Sequence, residues 1–308
     1  MAAPDGPGAP RAAGGPQSFP GWPPTFQAAL ERLTIAPRRP AQGHYAGAVR
    51  SRRRGRALEF AEHRPYVPGD DPKLVDWRSY ARLGRLYLKQ YDEERARPLT
   101  LLVDASASLD WGEGAAHKGG YARRLAAALA WIALRRQDPV RVWLLRDGAA
   151  TPLPPVGARA EVPTLYRHLG SVQERGGTGL AAAVRAALAG PTRGPVVLLT
   201  DLLDTDWAAA LAALAAGGEG TVLQVLAPDE WEPPLGEEVE LEDAETGALC
   251  PTRLGPAELA AYRERLAAFL AAVRRECRRH GLAYLALNTA TPLQEVVLRQ
   301  LPAAGVLV

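Results

Sequence analysis

Small oxygen-bearing side chains recur where apolar runs of the sequence end. Asp104, Ser106 and Ser108 follow the run LTLLV at every second position, and Asp201 directly follows VVLLT. Thr178 stands between glycines in GGTGL, where neighbours without side chains let the backbone approach closely. A hard divalent cation such as Mg²⁺ prefers about six oxygen ligands in an octahedron. Two carboxylates balance its charge and small hydroxyls add ligands without charge, so these residues predict a magnesium site.

The elements that must position these residues alternate between strands and helices from Leu99 onward. Short apolar runs such as LTLLV and VVLLT predict strands, and the Ala/Leu-rich segments between such runs predict helices. VVLLT has few polar positions, which is typical of a strand buried on both faces. This alternation indicates an α/β fold with a doubly wound, mostly parallel sheet of Rossmann type. Such sheets bind ligands beyond the carboxyl ends of their strands, where the strand order reverses.

Three regions are predicted along the chain. Residues 1–37 are rich in Pro, Gly and Ala near their start and are expected to form a disordered tail with a short helix at FQAALERL. Residues 38–98 carry 15 Lys and Arg against 8 Asp and Glu, a net charge of +7. This basic segment includes the alternating strand LYLKQY and is expected to pack on the main domain. Residues 99–308 form the α/β domain.

Membrane, secreted and disulfide-bonded classes are disfavoured. No apolar run approaches the ~20 residues of a membrane span. The N-terminus lacks the charged start and the apolar stretch of a secretory signal. Cys250 and Cys277 have no metal-like spacing to histidine and are expected to be free thiols. A cytoplasmic protein is therefore the default expectation.

Sequence motifs for several common chemistries are missing. The chain has no Walker A phosphate loop, no G-x-S-x-G nucleophile turn and no H-E-x-x-H zinc motif. The basic run Arg50–Arg56 lacks interleaved aromatic residues that would stack on bases, so a solvated or partner-facing surface is preferred over nucleic-acid binding. We expect neither a histidine nor a lysine beside the oxygen ligands. The site therefore offers no evident general base or nucleophile.

Two family resemblances rest on these motifs. The set formed by the D-x-S-x-S stretch, Thr178 and Asp201 resembles the metal-ion-dependent adhesion site of von Willebrand factor A domains, over about 99–308. The upstream stretch EFAEHRPYVPGDDPKLVDWRSYAR, followed by LYLKQYDEE, resembles the bacterial "domain of unknown function 58" family. Together the two resemblances cover the chain from about Arg38 onward.

The two resemblances imply a function. The first implies that the motif residues hold Mg²⁺ or Mn²⁺, directly or through water, and that a carboxylate of a bound partner completes the metal shell. The second implies a protein without established catalytic activity that works with a MoxR-type AAA+ ATPase. The preferred hypothesis is a non-enzymatic, metal-dependent protein-binding module in the assembly or maturation of a client complex. A metal-dependent phosphoester hydrolase and a structural protein with a vestigial metal site are the alternatives.

Charged residues outside the motif have local interpretations. Asp204 and Asp206 are predicted to cap a helix and to supply a first-turn charge, and Asp110 and Glu113 to lie in a solvated loop. Residues of the upstream stretch are expected to pin the front segment to the sheet, with a partner surface as the alternative. The candidates for that surface are Arg64, Asp70, Asp71, Asp76, Trp77 and Arg78.

Overall fold

The computed structural model divides the chain into two compact units. One unit comprises residues 1–41 and 97–308, and the other comprises residues 42–96. The residues that the structure describes are 21–36, 59–66, 75–92, 97–190, 194–233, 238–242, 249–253 and 255–308. Asp70, Asp71 and the basic run Arg50–Arg56 lie outside these ranges.

Helices and strands alternate through most of the described chain. In chain order, its helices are α1 (Pro24–Leu30), α2 (Trp77–Leu83), α3 (Lys118–Arg135), α4 (Val162–Gly170), α5 (Leu180–Ala187), α6 (Trp207–Ala216), α7 (Pro228–Trp231), α8 (Pro256–Arg279), α9 (Leu293–Glu295) and α10 (Leu301–Ala303). Its strands are β1 (Glu59–Pro65), β2 (Tyr87–Asp92), β3 (Leu99–Asp104), β4 (Val140–Arg146), β5 (Ala149–Pro152), β6 (Val196–Thr200), β7 (Gly220–Leu226), β8 (Glu238–Glu242), β9 (Leu249–Arg253) and β10 (Ala283–Asn288). None of these helices combines the length and the apolar character needed to cross a membrane.

A six-stranded sheet forms the centre of the larger unit, in the order β10-β7-β6-β3-β4-β5. Every neighbouring pair is parallel except β4 and β5, which are antiparallel. The chain passes from β3 to β4 on one side and later adds β6 on the other side of β3. The strand order therefore reverses between β3 and β6, where doubly wound sheets bind ligands. The predicted α/β fold with a doubly wound, mostly parallel sheet is confirmed.

Apolar side chains cover both faces of this sheet. Leu101 and Val103 of β3 face a cluster that includes most of α3, whereas Leu102 faces a cluster built from α5, α6 and part of α8. All residues of β3 and β6 are buried, because each strand has helices on both of its faces. The alanine-rich sequence of α3 lets that helix lie close against the strands. This packing holds the carboxyl ends of β3 and β6 in fixed positions.

The short helix predicted near the N-terminus packs into the core of the larger unit. Phe26 and Leu30 of α1 are buried in the same cluster as α3. After the helix, Thr34 and Val308 donate their backbone N–H groups to each other's carbonyl oxygens, at 2.7 and 2.9 Å. Leu33 and Ile35 also pack against this cluster. The segment 21–36 is therefore part of the α/β unit.

Within the smaller unit, β1 and β2 form an antiparallel pair. The pairing joins Pro65 to Tyr87 and Glu59 to Asp92, with an irregularity between Phe60 and Glu62. The alternating run LYLKQY is thus a strand, as its period predicts. The helix α2 lies between the two strands in the chain, just after Asp76.

The packing of α1 can be tested with a matched pair of leucine substitutions. Leu30 is fully buried, whereas Leu298 is 38% exposed. We expect Leu30→Ala to lower the free energy of unfolding by about 3 kcal/mol, because it removes buried methyl groups and leaves a cavity. Leu298→Ala should cost less than about 1 kcal/mol. Urea denaturation measures both, and equal losses would contradict the burial of α1.

Candidate metal centre

The loop after β3 gathers three oxygen-bearing side chains. Asp104 is almost fully buried, and its Oδ1 accepts hydrogen bonds from the backbone N–H of Ser106 at 3.0 Å and from Ser106 Oγ at 2.7 Å. Ser106 Oγ lies 3.1 Å from Ser108 Oγ. Adjacent ligands of an octahedral Mg²⁺ are about 2.9 Å apart, given metal–oxygen distances of 2.0–2.1 Å. The oxygen atoms of this loop therefore have the spacing of neighbouring metal ligands.

The loop that carries Thr178 is joined to the first loop through the backbone. The N–H of Ala107 donates to the carbonyl of Gly176 at 2.9 Å, and the N–H of Arg175 donates to the carbonyl of Ala105 at 3.1 Å. Thr178 itself is buried, with 4% of its surface exposed. The two loops thus form one unit at the edge of the sheet.

A sharp backbone turn sets Thr178 at the start of α5. Gly179 has a positive φ of 53°, in the left-handed region that glycine adopts without strain. The carbonyl of Thr178 accepts a hydrogen bond from the N–H of Gly148 at 2.9 Å, and Asp147 Oδ1 accepts one from Gly177 at 2.8 Å. The turn between β4 and β5 therefore supports the threonine loop from the outer side.

Asp201 follows β6 directly and is held by a second turn. Its Oδ1 accepts a hydrogen bond from the N–H of Leu203 at 3.1 Å, and its side chain is almost completely buried. Thr200 Oγ1 donates to Asp104 Oδ2 at 2.7 Å and accepts from the N–H of Leu202 at 3.1 Å. Leu202 has a positive φ of 61°, unusual for a residue with a side chain, yet its side chain is fully buried. Packing therefore maintains the turn that presents Asp201.

Two further aspartates of this loop cap α5. Asp204 accepts a hydrogen bond from the N–H of Leu180 at 3.0 Å, and Asp206 accepts one from Ala181 at 3.2 Å. Burial raises the pKa of Asp204, but its hydrogen bonds with Leu180 and Asp206 outweigh burial and lower it. The capped helix begins two residues after Thr178. Asp204 and Asp206 therefore join the Asp201 loop to the Thr178 loop.

The five predicted ligands thus lie on three loops that hydrogen bonds connect at one edge of the sheet. Hydrogen bonds link Asp104, Ser106 and Ser108 to one another, and Thr200 links them to the strand that precedes Asp201. Thr178 is joined to them through its neighbours in the backbone. This donor set of two carboxylates and three hydroxyls fits a hard divalent cation. Occupancy by an ion stays a prediction.

A buried lysine lies beside Asp201. Lys118 Nζ donates to Asp201 Oδ2 at 2.8 Å and to Glu230 Oε1 at 2.8 Å, and 1% of its side chain is exposed. Our expectation that no lysine lies near the ligands is wrong. Lys118 is the first residue of α3, and the loop between Asp104 and this helix folds back so that the helix begins at the site. The one available signal was that Lys118 is among only three lysines in a chain of 37 Lys and Arg.

Glu230 is a second residue that the sequence analysis missed. It lies on α7, directly after β7, and its Oε2 accepts a hydrogen bond from the N–H of Ala227 at 2.6 Å. Burial raises the pKa of Glu230, and the ammonium of Lys118 opposes that rise without cancelling it. A signal existed in the stretch APDEW, which follows an apolar strand like the other site loops.

Burial and mutual repulsion dominate the electrostatics of the site. Burial, and then the charge of Asp201, raise the pKa of Asp104 to about 7, although hydrogen bonds from Thr200 and Ser106 lower it. Burial alone lowers the pKa of Lys118, but the carboxylates of Asp201 and Glu230 outweigh this effect and raise it. Lys118 therefore stays charged, while among the residues that the structure describes Asp104 forms no ion pair.

The loop after Ser108 is largely solvated. Asp110 is exposed and pairs with His117 Nε2 at 3.0 Å, and His117 Nδ1 accepts a hydrogen bond from Gly120 at the start of α3. The ligand atoms of Asp110, His117 and Glu174 all lie within 4.8 Å of one another. Glu174 also forms an ion pair with Arg123 at 3.4 Å. His117 therefore acts as a helix cap.

The upstream partner candidates differ in their environments. Asp76 is 7% exposed, and its carboxylate accepts a hydrogen bond from Ser79 Oγ at 2.9 Å, which fits a structural role. Trp77 is 61% exposed and contacts the ring of Tyr80 edge to face, which fits the partner-surface alternative. Arg64 pairs with Leu88 across the β1–β2 ladder, and Arg78 lies within α2.

The backbone conformation and close contact at Gly179 predict that a larger residue there destabilises the protein. A Cβ on Gly179 would lie 2.6 Å from the backbone N of Gly148, and the φ of Gly179 is positive. We expect Gly179→Ala to lower the free energy of unfolding by about 2 kcal/mol or more. Gly157→Ala is the control, since a Cβ there meets nothing within 4 Å, and it should change stability by less than about 1 kcal/mol. Urea denaturation compares the two, and an equal effect would contradict the tight contact at Gly179.

The raised pKa of Asp104 predicts a pH dependence of stability without divalent ions. The folded protein holds the Asp104 proton up to about pH 7, whereas the unfolded chain releases it near pH 3.9. The free energy of unfolding should therefore fall as pH rises from about 4 to above 7, because ionisation then acts against folding.

Denaturation in EDTA at pH 5 and pH 8 measures this fall. Asp104→Asn should reduce the fall between these pH values. Glu264→Gln, at an exposed glutamate of α8, should leave it unchanged. Equal pH dependence in wild type and Asp104→Asn would contradict the assignment.

Comparison with known proteins places the chain in a family. The family model described as "Protein of unknown function DUF58" matches residues 62–276. The uncharacterized protein Rv1480 of Mycobacterium tuberculosis is 30% identical over 271 residues, which cover 86% of this chain and 86% of that protein. The uncharacterized protein Mb1516 of Mycobacterium bovis has the same identity and coverage.

Two solved structures are similar in part. The conserved hypothetical protein BatB from Bacteroides thetaiotaomicron gives a TM-score of 0.43 at 18% identity, and the match covers 68% of this chain and 98% of that one. An aerotolerance-related membrane protein from Bacteroides fragilis gives a TM-score of 0.41 at 20% identity, with coverage of 67% and 99%. The family match and the mycobacterial relatives both extend over most of the sequence. The chain therefore belongs to the DUF58 family of proteins of unknown function.

Proposed function

We propose that this chain is a metal-dependent protein-binding module with a von Willebrand factor A-like domain. It holds one Mg²⁺ or Mn²⁺ and uses the ion to capture a carboxylate of a partner protein. The proposed ligands are Asp104, Ser106, Ser108, Thr178 and Asp201. One observation carries the proposal: oxygen-bearing side chains from three connected loops lie at the point where the strand order of the sheet reverses.

The residues of the site have distinct tasks in this proposal. Ser106 and Ser108 are neutral donors, so they bind an ion without reducing its charge, which keeps it attractive to an incoming anion. Thr200 and the backbone of Ser106 hold the carboxylate of Asp104 in one orientation. When bound, the ion supplies an open coordination position for a carboxylate. Metal-dependent recognition then follows from the loss of that position when the ion is removed.

The proposed partner is a MoxR-type AAA+ ATPase that acts with this chain in assembly or maturation of a client complex. This part rests on the resemblance to the bacterial family. Two exposed apolar side chains near the ligands in sequence support a protein partner: Trp111 is 42% exposed and Leu203 is 54% exposed. Apolar groups around a metal-bound carboxylate would add contact area to an otherwise small polar interaction.

Lys118 is the observation that favours the rival hydrolase hypothesis. A lysine beside a metal can serve as a general base or a nucleophile when its amine is neutral and accessible. Here the ammonium of Lys118 donates to two carboxylates, and only 1% of the side chain is exposed. It therefore has no access to a substrate in this arrangement, and we favour the binding module.

Calorimetry with Mn²⁺ and Mg²⁺ tests whether the centre holds an ion. Wild type should bind one ion, and Asp104→Ala should bind none because a charged ligand is lost. Thr200→Ala should weaken binding by roughly 10-fold to 100-fold, because Thr200 orients the carboxylate of Asp104 and the loss of such an outer-shell partner typically has an effect of that size. Ser171→Ala, at the exposed end of α4, is the matched control and should bind as wild type does. Binding that is equal in wild type and Asp104→Ala would overturn the assignment.

Partner capture distinguishes the binding module from its two alternatives. A pull-down with the MoxR-type ATPase should succeed in Mg²⁺, fail in EDTA and weaken in Thr178→Ala. Turnover of generic phosphoesters is measured on the same samples. Metal-stimulated hydrolysis that disappears in Asp104→Ala would establish the enzyme in place of the module. Capture that is unaffected by EDTA would favour a vestigial site.

A further inference from the structure

The ammonium of Lys118 lies among the carboxylates of the candidate metal centre, and nothing in the proposed metal shell requires it. We propose that Lys118 is a built-in cation that sets the divalent-ion affinity of the centre by offsetting one negative charge of the cluster formed by Asp104, Asp201 and Glu230. Lys118 lowers the affinity of the centre for the ion and is not itself a ligand. The inference rests on the proposed metal site and concerns how strongly that site binds.

The geometry fixes Lys118 in this role. Its Nζ lies 2.8 Å from Asp201 Oδ2, a proposed ligand, and 2.8 Å from Glu230 Oε1, which is outside the proposed shell. Only 1% of the lysine side chain is exposed, so the protein shields the ammonium from solvent. Water screens charges weakly at such buried positions. A divalent ion held by Asp201 would therefore be repelled by the ammonium with little screening.

Formal charges show what the lysine contributes. When a bound ion displaces the Asp104 proton and all three carboxylates are ionised, Asp104, Asp201 and Glu230 carry three negative charges and Lys118 carries one positive charge. The net charge of −2 matches a single divalent cation. Without Lys118 the cluster would carry −3 and would attract a divalent ion more strongly. Without the charge of Glu230 it would carry −1 and would attract the ion less.

Three variants separate this charge effect from a merely structural role. Lys118→Met should bind Mn²⁺ roughly tenfold or more tightly than wild type, because it removes a nearby positive charge. Glu230→Gln should bind Mn²⁺ roughly tenfold or more weakly, because it removes a negative charge. The double variant Lys118→Met/Glu230→Gln restores the wild-type net charge and should bind within a few-fold of wild type. A lost packing contact would weaken binding in all three variants.

The measurements are Mn²⁺ calorimetry and the rise in melting temperature on addition of Mn²⁺, both at one pH and on the full chain. Lys118→Met leaves two buried carboxylates without their cation, so it should melt lower in EDTA and show a larger Mn²⁺-induced rise than wild type. The control is Arg97→Met, which removes a cation paired with Glu219. Both residues lie just before the amino ends of their strands, β3 and β7, and the candidate site lies at the carboxyl ends. Arg97→Met should leave Mn²⁺ affinity unchanged. If Lys118→Met proves unfolded in EDTA, Glu230→Gln and the double variant carry the test.

The possible results distinguish a failure of the inference about Lys118 from a failure of the proposed function. Affinities that rise in Lys118→Met and fall in Glu230→Gln support the inference. Measurable affinity that is the same in wild type and all three variants overturns the role of Lys118 and leaves the metal site intact. Binding in Lys118→Met with none in wild type supports the inference and overturns metal-dependent capture by the natural protein. No binding in any of the proteins overturns both.

Discussion

The hydrogen bond from Thr200 to Asp104 joins the two strands on which the site depends. It connects the carboxyl end of β6 to the carboxyl end of β3, at the point where the chain changes direction across the sheet. Asp104 is buried there, and a buried carboxylate is stable only if its oxygen atoms accept hydrogen bonds. Ser106 supplies the bonds to one oxygen and Thr200 supplies the bond to the other. Because both oxygen atoms of the buried Asp104 carboxylate need hydrogen-bond donors, the loops after β3 and β6 are held in fixed positions.

The third loop, which carries Thr178, is positioned at the same edge of the sheet by residues that are not predicted ligands. Asp204 and Asp206 extend from the loop after β6 to the first amides of α5, the helix that follows Thr178. Helix amides at an N-terminus have no partner within the helix, so an aspartate that caps them gains stability and fixes their position. Thr178 is consequently positioned by residues that would not contact a metal. The ligands and their supports form a single hydrogen-bonded assembly.

Charge is the property that this assembly leaves unbalanced. Two carboxylates, those of Asp201 and Glu230, contact the ammonium of Lys118, and the buried carboxyl group of Asp104 lies close enough to Asp201 to be repelled by its charge. Repulsion between Asp104 and Asp201 adds to burial in raising the pKa of Asp104 to about 7. A bound divalent cation would offset the repulsion between these carboxylates. This effect links the architecture of the site to the function that we propose. Lys118 already offsets part of the negative charge of these carboxylates. In our proposal it therefore determines how much negative charge is available to attract an ion.

Sequence patterns alone predict the α/β fold and the group of carboxylate and hydroxyl side chains at the carboxyl ends of its strands. Short apolar runs identify β3 and β6 as strands, and the few polar positions of VVLLT indicate that β6 is buried on both faces. The predicted ligands Asp104 and Asp201 stand at the ends of these strands, where a doubly wound sheet collects functional residues. The tertiary structure alone decided which other residues reach that edge. Lys118 and Glu230 lie 112 residues apart, and their contact depends on strand order and on the folding of two loops. The burial of α1 likewise depends on a partner surface formed by α3. Sequence periodicity reports which face of an element is apolar, and it carries no information about which distant element covers that face.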